Sequence, residues 1–201
     1  WNYLNSYSLT ALPLFLFMGE LLVHSGLSQR LYTSLGPLFE RFPGKLLHTN
    51  VAISTLFGAM SGSSMATAAA VGSVVYPELD KRGYNKRMVT GSIAGSGTLG
   101  LLIPPSMALI AYGAWQDVSV GKLFMAGVVP GVMMAIIFMS YIAFHSMLYP
   151  DFVPQSTEPT VPLWKALIGT IRIWPIGILI FMIMGTIYLG LATPTESAGM
   201  G

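Results

Sequence analysis

Apolar residues run in long stretches along most of this chain, and polar residues gather in short segments between them. The first apolar run, 9–27, has about 19 residues, which is enough for one helical crossing of a bilayer. Residues 28–42 place Leu31, Leu35 and Leu38 at helical spacings among charged positions, which predicts an amphipathic helix lying in the membrane interface. The pattern therefore predicts helices in a membrane.

The next run, 46–79, is apolar or small throughout but too short for two crossings, which need about 40 residues plus a turn. The polar tip Ser61-Gly62-Ser63-Ser64 stands at its centre, and basic residues flank both of its ends. A single crossing would put the two basic clusters on opposite faces, against the bias of Lys and Arg toward the cytoplasm. The pattern favours a re-entrant hairpin that enters from the cytoplasm and turns at this tip. One long spanning helix with serines on its packed face is the alternative.

Residues 91–113 are long and apolar enough to cross a bilayer but cannot form one regular helix. Five residues weaken or break it: Gly95, Gly97, Gly100, Pro104 and Pro105. Each proline removes an amide donor and costs about 3 kcal/mol or more in a helix interior. Lipid offers no hydrogen bonds, so the freed backbone groups need partners in protein, water or an ion. We expect a discontinuous helix, unwound over 95–106, that binds something at membrane depth.

The remaining chain predicts further membrane segments. Residues 122–149 form a long apolar run that predicts a span. A polar, proline-rich loop follows at 150–162 and is expected on the cytoplasmic side. Residues 164–191 are again hydrophobic and lead into the short polar run 193–197.

Composition supports the same class of protein. Hydrophobic residues make up 53% of the chain and charged residues 9%, whereas a soluble domain carries about 25% charged residues. The net charge of +2 is too small and too scattered to indicate a nucleic-acid partner, and the absence of cysteine excludes disulfides and thiolate metal sites. The chain begins at Trp1 without a signal-peptide pattern, so we expect it to be part of a larger protein.

Motifs for enzymatic chemistry are weak. The break contains the letters G-x-G-x-x-G, but a dinucleotide site needs a strand before the motif and a helix after it, not a membrane run. The three histidines lie on separate segments: His24, His48 and His145. Glu20 in the first run is a functional candidate because it is an intramembrane carboxylate, with a packing or interface role as the alternative. We expect neither enzymatic activity nor a cofactor.

Candidate chemistry remains at two interruptions of membrane helices, the 61–64 tip and the 95–106 break. Secondary transporters use discontinuous helices to build sites: half-helix N-termini face anionic groups, and unwound carbonyls and helix C-termini coordinate Na⁺ or H⁺. Hydroxyl oxygens are available from five residues: Ser61, Ser63, Ser64, Thr98 and Ser106. Because few charges lie here, a cation site of carbonyl and hydroxyl oxygens is favoured over a carboxylate cage. Kinks that serve only packing are the alternative.

Two segments resemble the large membrane subunit of tripartite ATP-independent periplasmic (TRAP) transporters: SGSSMATAAAVGSVVYPELDKRGYNKR at 61–87 and GSGTLGLLIPPSMALIAYG at 95–113. SVGKLFMAGVVPG at 119–131 and ATPTESA at 192–198 also match. The resemblance implies an all-α integral membrane protein, here the first of two inverted repeats of an elevator-type transporter. It also implies a small membrane subunit and a periplasmic solute-binding protein as partners in the bacterial inner membrane. Cargoes would be organic acids, such as C4-dicarboxylates or sialic acids, moved by the Na⁺ gradient.

By position, the resemblance implies a scaffold in 1–45, a transport domain in 46–113, and further spans, the loop and the start of the second repeat in 114–201. It implies a cation site formed by Ser61, Ser63, Gly95, Thr98, Gly100 and Pro104. It implies substrate contacts from Ser64, Gly97, Pro105 and Ser106. A substrate arginine and the second half-site are expected beyond the chain. A related exchanger that needs no binding protein, and a structural membrane subunit with no site, are the alternatives.

Overall fold

The computed structural model describes residues 7–154 and 162–200, and all regular elements in these ranges are helical. The α-helices in chain order are α1 Ala11–His24, α2 Leu27–Phe39, α3 Leu46–Ser61, α4 Ser64–Lys81, α5 Lys86–Gly97, α6 Leu99–Leu102, α7 Met107–Gln116, α8 Val120–Leu148, α9 Leu163–Ile171, α10 Trp174–Tyr188 and α11 Pro194–Met200. Short 3₁₀ turns lie at Tyr7–Thr10 and Pro150–Phe152. The predicted all-α class is confirmed for these residues.

Two stretches are long and apolar enough to cross a membrane, Lys86–Gln116 and Val120–Leu148. Two further helix pairs, α1 with α2 and α9 with α10, are long and apolar enough only when the two helices are taken together. The first pair is bent by 66° and the second by 54°. Within the described residues the chain therefore has two candidate spans, or up to four if each bent pair crosses. This supports the prediction of a membrane protein.

The first predicted span is shorter than expected, and the last hydrophobic run is divided into two helices. The helix predicted over 9–27 stops at His24, and Gly26 at φ +72° turns the chain before α2. With 14 residues, α1 is about 21 Å long, which is less than the roughly 30 Å of a hydrocarbon core. The run 164–191 is divided at Arg172–Ile173, because Pro175 at the start of α10 lacks an amide and cannot continue the preceding helix.

The run 46–79 forms two helices joined by a tight turn. Helix α3 ends at Ser61, since Gly62 adopts φ +62°, and Ser63 is extended before α4 begins at Ser64. A positive φ costs glycine nothing but interrupts a helix. The alternative of one continuous spanning helix is thus wrong, and the helical hairpin is confirmed. Its entry from one face of the membrane stays a prediction.

The break in the second run is narrower than predicted. Thr98 forms a short turn of right-handed helical geometry between α5 and α6, and the main interruption is Ile103–Ser106. The expected unwinding over 95–102 is therefore wrong. A glycine weakens a helix by only about 1 kcal/mol, which packing offsets, whereas prolines remove donors that no packing restores.

Helix α3 lies at the centre of the molecule. It packs against α1, α2, α4, α5, α6 and α8, and nearly all of its residues are buried. By contrast, α8 leaves a wide apolar face exposed, including Ile136, Phe144 and Met147. An apolar surface of this kind is typical of a lipid-facing or partner-facing helix. The division into scaffold 1–45, transport domain 46–113 and later spans 114–201 stays a prediction.

Candidate functional site

The tip of the hairpin lies directly against the break. The backbone amide of Met107 donates to the carbonyl oxygen of Gly62 at 3.2 Å. A Cβ atom placed on Gly62 would lie only 2.7 Å from the carbonyl oxygen of Pro105. The structure thus brings the two interruptions together, as the resemblance implied.

Both helices that leave this point begin with a serine cap. Ser63 before α4 (φ −128°, ψ 125°) and Ser106 before α7 (φ −123°, ψ 126°) share the same extended geometry. Each side-chain oxygen accepts a hydrogen bond at 3.4 Å from the third amide of its helix, that of Ala66 or Leu109. Two helix N-termini therefore start beside each other. Their free amides and partial positive charges suit an anionic group.

A buried hydroxyl network lies beneath the tip. The Oγ of Ser61 is 2.9 Å from the Oγ1 of Thr67, which donates to the carbonyl oxygen of Ser63 at 2.7 Å. Both Ser61 and Thr67 are almost fully buried. Oxygens in this arrangement are hard neutral ligands of the type that alkali and alkaline-earth cations accept. Ser64 follows as the first residue of α4 and is half-buried.

Two glycines that were expected to unwind the helix instead pack against the hairpin. A Cβ on Gly100 would lie 2.6 Å from Thr67 Oγ1 and 2.8 Å from the carbonyl oxygen of Ser63. A Cβ on Gly97 would lie 2.8 Å from the Cβ of Ala68. Glycine is therefore required here by the close approach of α5 and α6 to α4.

Three other predicted cation residues do not contact the tip in this way. Gly95 faces the ring of Phe138 on α8, with 3.5 Å from its added Cβ to the ring. Thr98 is exposed, and its hydroxyl donates to the carbonyl oxygen of Gly95 at 2.6 Å. The Pro104 ring lies beside α8, 3.4 Å from a Cβ placed on Gly127. The structure thus places Ser61, Ser63, Gly97, Gly100, Pro105 and Ser106 at the contact between the hairpin and α5–α7, and the other three toward α8 or the surface.

A polar ladder between α3 and α5 escaped the sequence reasoning. Three facing pairs recur at every fourth residue: Asn50 with Ser92, Ser54 with Ser96, and Gly58 with Gly100. Hydrogen bonds of 2.8 Å and 2.9 Å join the first two pairs, and a Cβ on Gly58 would lie 2.8 Å from the Cα of Gly100. Because the partners keep a constant separation along the chain, α3 and α5 run in the same direction. Small or polar residues at every fourth position were the signal in the sequence.

Helix α1 also contacts the tip. A Cβ on Gly19 would lie 3.1 Å from the Cα of Ser61. The next residue, Glu20, is exposed, and its Oε1 lies 3.5 Å from the Nδ1 of His24 one turn later. Glu20 thus faces outward from the described helices, while the glycine beside it closes the site on the α1 side.

Polar contacts anchor the base of the hairpin. The hydroxyl of Tyr84, in the loop after α4, accepts a hydrogen bond from the amide of Leu46 at 3.4 Å. Burial raises the pKa of Tyr84 to about 12, so the phenol stays protonated. Lys45 donates to the carbonyl oxygen of Pro154 at 2.8 Å. These contacts fix the ends of α3 and α4 that lie opposite the tip.

The run 193–197 begins α11 with a reciprocal cap. The carboxylate of Glu196 accepts hydrogen bonds from the amide and hydroxyl of Thr193, at 2.7 Å and 2.8 Å. These bonds, that from the backbone first, lower the pKa of Glu196. The residue is engaged locally, so it is not a free ligand for the site. In the described part of the chain, no group of three or more His, Cys, Asp or Glu residues is placed to bind a metal ion.

Comparison with known proteins places the chain among transporters. The family model described as "Tripartite ATP-independent periplasmic transporter, DctM component" matches residues 1–201. The chain is 36% identical over 194 residues to the C4-dicarboxylate TRAP transporter large permease protein DctM of Pseudomonas aeruginosa, covering 96% of the chain and 44% of that protein.

Two further relatives are named for other cargoes. The ectoine TRAP transporter large permease protein TeaC of Halomonas elongata is 35% identical over 193 residues, covering 95% of the chain and 44% of that protein. The sialic acid TRAP transporter permease protein SiaT of Haemophilus influenzae is 33% identical over 197 residues, covering 97% and 31%. The chain therefore spans less than half the length of these relatives. They are transporter permeases, which confirms the expectation that this is not an enzyme.

Proposed function

Because the chain belongs to the DctM component family of tripartite ATP-independent periplasmic transporters, we propose that the full-length protein imports an organic acid at the expense of a Na⁺ gradient. The observation that carries this proposal is the contact between the hairpin tip and the break, where the Met107 amide binds the Gly62 carbonyl oxygen at 3.2 Å. A contact of two interrupted membrane helices is the arrangement with which secondary transporters bind substrate and ion.

The chemistry of this contact supports an anionic cargo. The N-termini of α4 and α7 start side by side, and each is capped by a neutral serine, not by an acidic residue. Two helix N-termini would favour a carboxylate by about 0.3–1 kcal/mol each at exposed positions and more when buried. We assign the substrate contacts to Ser64, Gly97, Pro105 and Ser106. A C4-dicarboxylate or a sialic acid satisfies this chemistry, and an arginine from the rest of the full-length protein would complete it.

The same contact supports Na⁺ as the coupling ion. The oxygens of Ser61, Ser63 and Thr67 converge beneath the tip without a carboxylate, which suits a weakly held monovalent cation. Gly100 lies against these oxygens and lets the backbone of α6 approach them. We keep Gly95, Thr98 and Pro104 as outer members of the proposed cation site. Their contribution requires a small movement of α5 and α6 relative to α8.

We propose the partners from the family's tripartite organisation. A small membrane subunit and a periplasmic solute-binding protein would assemble with the full-length protein in the bacterial inner membrane. The exposed apolar faces of α8 and α10 are consistent with surfaces that lipid or a membrane subunit covers.

The test is uptake of a labelled organic acid into proteoliposomes that contain the full-length protein and its small subunit, with and without binding protein. We expect uptake to require an inward Na⁺ gradient and the loaded binding protein, and not ATP. Ser61→Ala should lower Na⁺-dependent uptake about tenfold, because the loss of one ligand oxygen costs on the order of 1.4 kcal/mol. Ser73→Ala on the exposed part of α4 is the matched control and should leave uptake unchanged.

The alternatives give different results in the same assay. Uptake that persists without any binding protein would indicate the related exchanger. An assembled complex whose transport is insensitive to Ser61→Ala and Thr98→Ala would show that the cation site is assigned wrongly. A complex that assembles but never transports would indicate a structural subunit.

A further inference from the structure

A groove separates α5 from α8 on the side away from the hairpin tip. This α5–α8 groove has a volume of about 410 Å³, and its walls include Gly91, Gly95, Ile137, Phe138 and Tyr141. Its lining is mostly apolar, and Ile137 and Tyr141 are more than half exposed along it. The groove is thus open sideways, toward the position of the lipid in a membrane.

One end of the groove is basic. A second cavity of about 520 Å³ shares Arg87 and Met88 with the groove and adds Lys86, Asn85 and His145 to its lining. Among the described residues, no carboxylate lines either cavity, although exposed Lys86 also lies 3.4 Å from Asp80. The mouth of the groove therefore carries a positive charge that suits an anion.

Aromatic rings surround this mouth. The imidazole of His145 packs among the rings of Tyr141, Tyr149 and Phe152, with centroids 5.0–5.8 Å apart. Tyrosines and basic residues together mark the headgroup level of a membrane, and the basic residues indicate its cytoplasmic side. The mouth thus lies at the depth of phospholipid headgroups.

The length of the groove matches one leaflet. From Arg87 at the mouth to Ser96 at the far end, α5 rises nine residues, or about 14 Å. Half of a hydrocarbon core is about 15 Å. A lipid with its phosphate at the mouth would therefore extend one acyl chain to the end of the groove at the bilayer centre.

From the charge, length and apolar lining, we propose that the α5–α8 groove binds one anionic phospholipid of the cytoplasmic leaflet. Its phosphate contacts Arg87 and Lys86, and one acyl chain lies over Gly91 and along the exposed side chains of Ile137 and Tyr141. Basic pockets between membrane helices on the cytoplasmic side are sites of this kind. This site is independent of the proposed cargo, because the hairpin meets α5 and α6 through Gly97 and Gly100 instead.

The glycines keep the groove open and provide the test. A Cβ placed on Gly91 has no atom within 4 Å, so a large side chain there would occupy the groove without striking the backbone. Gly177 on α10 also has no neighbour within 4 Å of an added Cβ and lies outside the groove. Gly91→Trp and Gly177→Trp therefore form a matched pair.

The experiment is native mass spectrometry of the full-length protein with its small subunit, extracted from membranes and titrated with phosphatidylglycerol. Wild type and Gly177→Trp should retain one phosphatidylglycerol. In Gly91→Trp, the fraction of protein that carries this lipid should be at least tenfold lower. Equal retention by the three proteins, or no retained lipid in the wild type, would overturn the proposal. The latter result is expected if another part of the full-length protein fills the groove.

A charge variant keeps the proposal testable if Gly91→Trp does not assemble. Arg87→Gln should reduce the preference for phosphatidylglycerol over phosphatidylethanolamine about fivefold, which is the usual effect of one basic residue at an anionic surface. Lys122→Gln removes the same charge from the opposite end of α8 and should leave the preference unchanged. An unchanged preference in Arg87→Gln would rule out the assigned headgroup contact.

Discussion

The hairpin tip at Ser61–Ser64 and the break at Ile103–Ser106 contact each other. They are alike in the residue that caps the following helix and differ in the residues that end the preceding one. After each break, an extended serine caps the next helix with nearly identical backbone angles, at Ser63 and at Ser106. Before the break, Gly62 turns the chain through a positive φ of +62°, whereas Ile103 stays extended at φ −82° and two prolines follow. The glycine reverses the chain into a hairpin, and the prolines interrupt a run that still continues toward Gln116.

The shared half and the different half of the two interruptions have separate consequences. The shared serine caps produce two helix N-termini at one point, which suits an anion. The different breaks decide how the chain leaves: after Gly62 it reverses into a hairpin, and after Pro105 it continues along the same candidate span. Four sets of substitutions test the comparison, in order of expected effect. They alter the close contact at Gly100, the turn glycine Gly62, the two serine caps, and the polar ladder beside the interruptions.

Substitution of Gly100, which packs between the hairpin and the break, should have the largest effect on stability and uptake. Gly100→Val would place atoms within 3 Å of Thr67 and of the Ser63 backbone, so both sides of the contact must move. We expect about 3 kcal/mol or more of destabilisation, at the upper end for overpacked sites, and loss of uptake. Thermal unfolding of the purified full-length protein measures it, with Gly177→Val as the control in open space. Equal unfolding midpoints would show that the contact is loose.

Substitution of the turn glycine should come second. Gly62→Ala adds about 1–2 kcal/mol for the left-handed conformation and also forces a Cβ against the Pro105 carbonyl oxygen. Gly83→Ala has a similar φ of +79° with nothing within 4 Å, so it shares only the first cost. We expect Gly62→Ala to lower the unfolding midpoint and the uptake rate clearly more than Gly83→Ala. If the two variants behave alike, the tip does not press on the break.

The two serine caps should differ by a smaller amount. Ser63→Ala removes one capping bond, which costs about 1 kcal/mol. Ser106 is fully buried, and its hydroxyl also donates to the Leu101 carbonyl oxygen, so Ser106→Ala should cost about 2 kcal/mol. Unfolding free energies of the two variants test the order. A larger loss of unfolding free energy in Ser63→Ala than in Ser106→Ala would contradict the expected order.

The polar ladder should show the smallest effect, because it lies beside both interruptions and does not form either of them. Ser54→Ala or Ser96→Ala alone leaves a buried hydroxyl without its partner at 2.9 Å and should cost about 1 kcal/mol. The double variant should cost less than the sum, with a coupling of about 0.5–1 kcal/mol in a double-mutant cycle. Strict additivity would mean that the two hydroxyls do not interact.

The local breaks were predictable because their causes act within a few residues. Ser61–Ser64 and Pro104–Pro105 interrupt helices through a positive φ and through missing amides, and neither effect needs a distant partner. The resemblance carried by these same segments identified the family over the whole chain. The boundary between the first apolar run and the amphipathic segment was predicted as well, and it lies at Gly26. The bend at Arg172–Ile173 was missed, since hydropathy measures the length of an apolar run but not its direction.

The sequence by itself therefore determined the helical class that the described residues show, the two interruptions at Ser61–Ser64 and Pro104–Pro105, and the family. Only the tertiary structure decided which residues meet. It showed that the backbone around Gly95–Leu102 is helical except for a turn at Thr98, that Gly97 and Gly100 serve close packing, and that Gly62 bonds to Met107. It also separated Gly95, Thr98 and Pro104 from the tip. Such contacts depend on how helices far apart in the chain pack together. A glycine allows either an unwound turn or the close approach of another helix, and the tertiary packing determines which of the two forms.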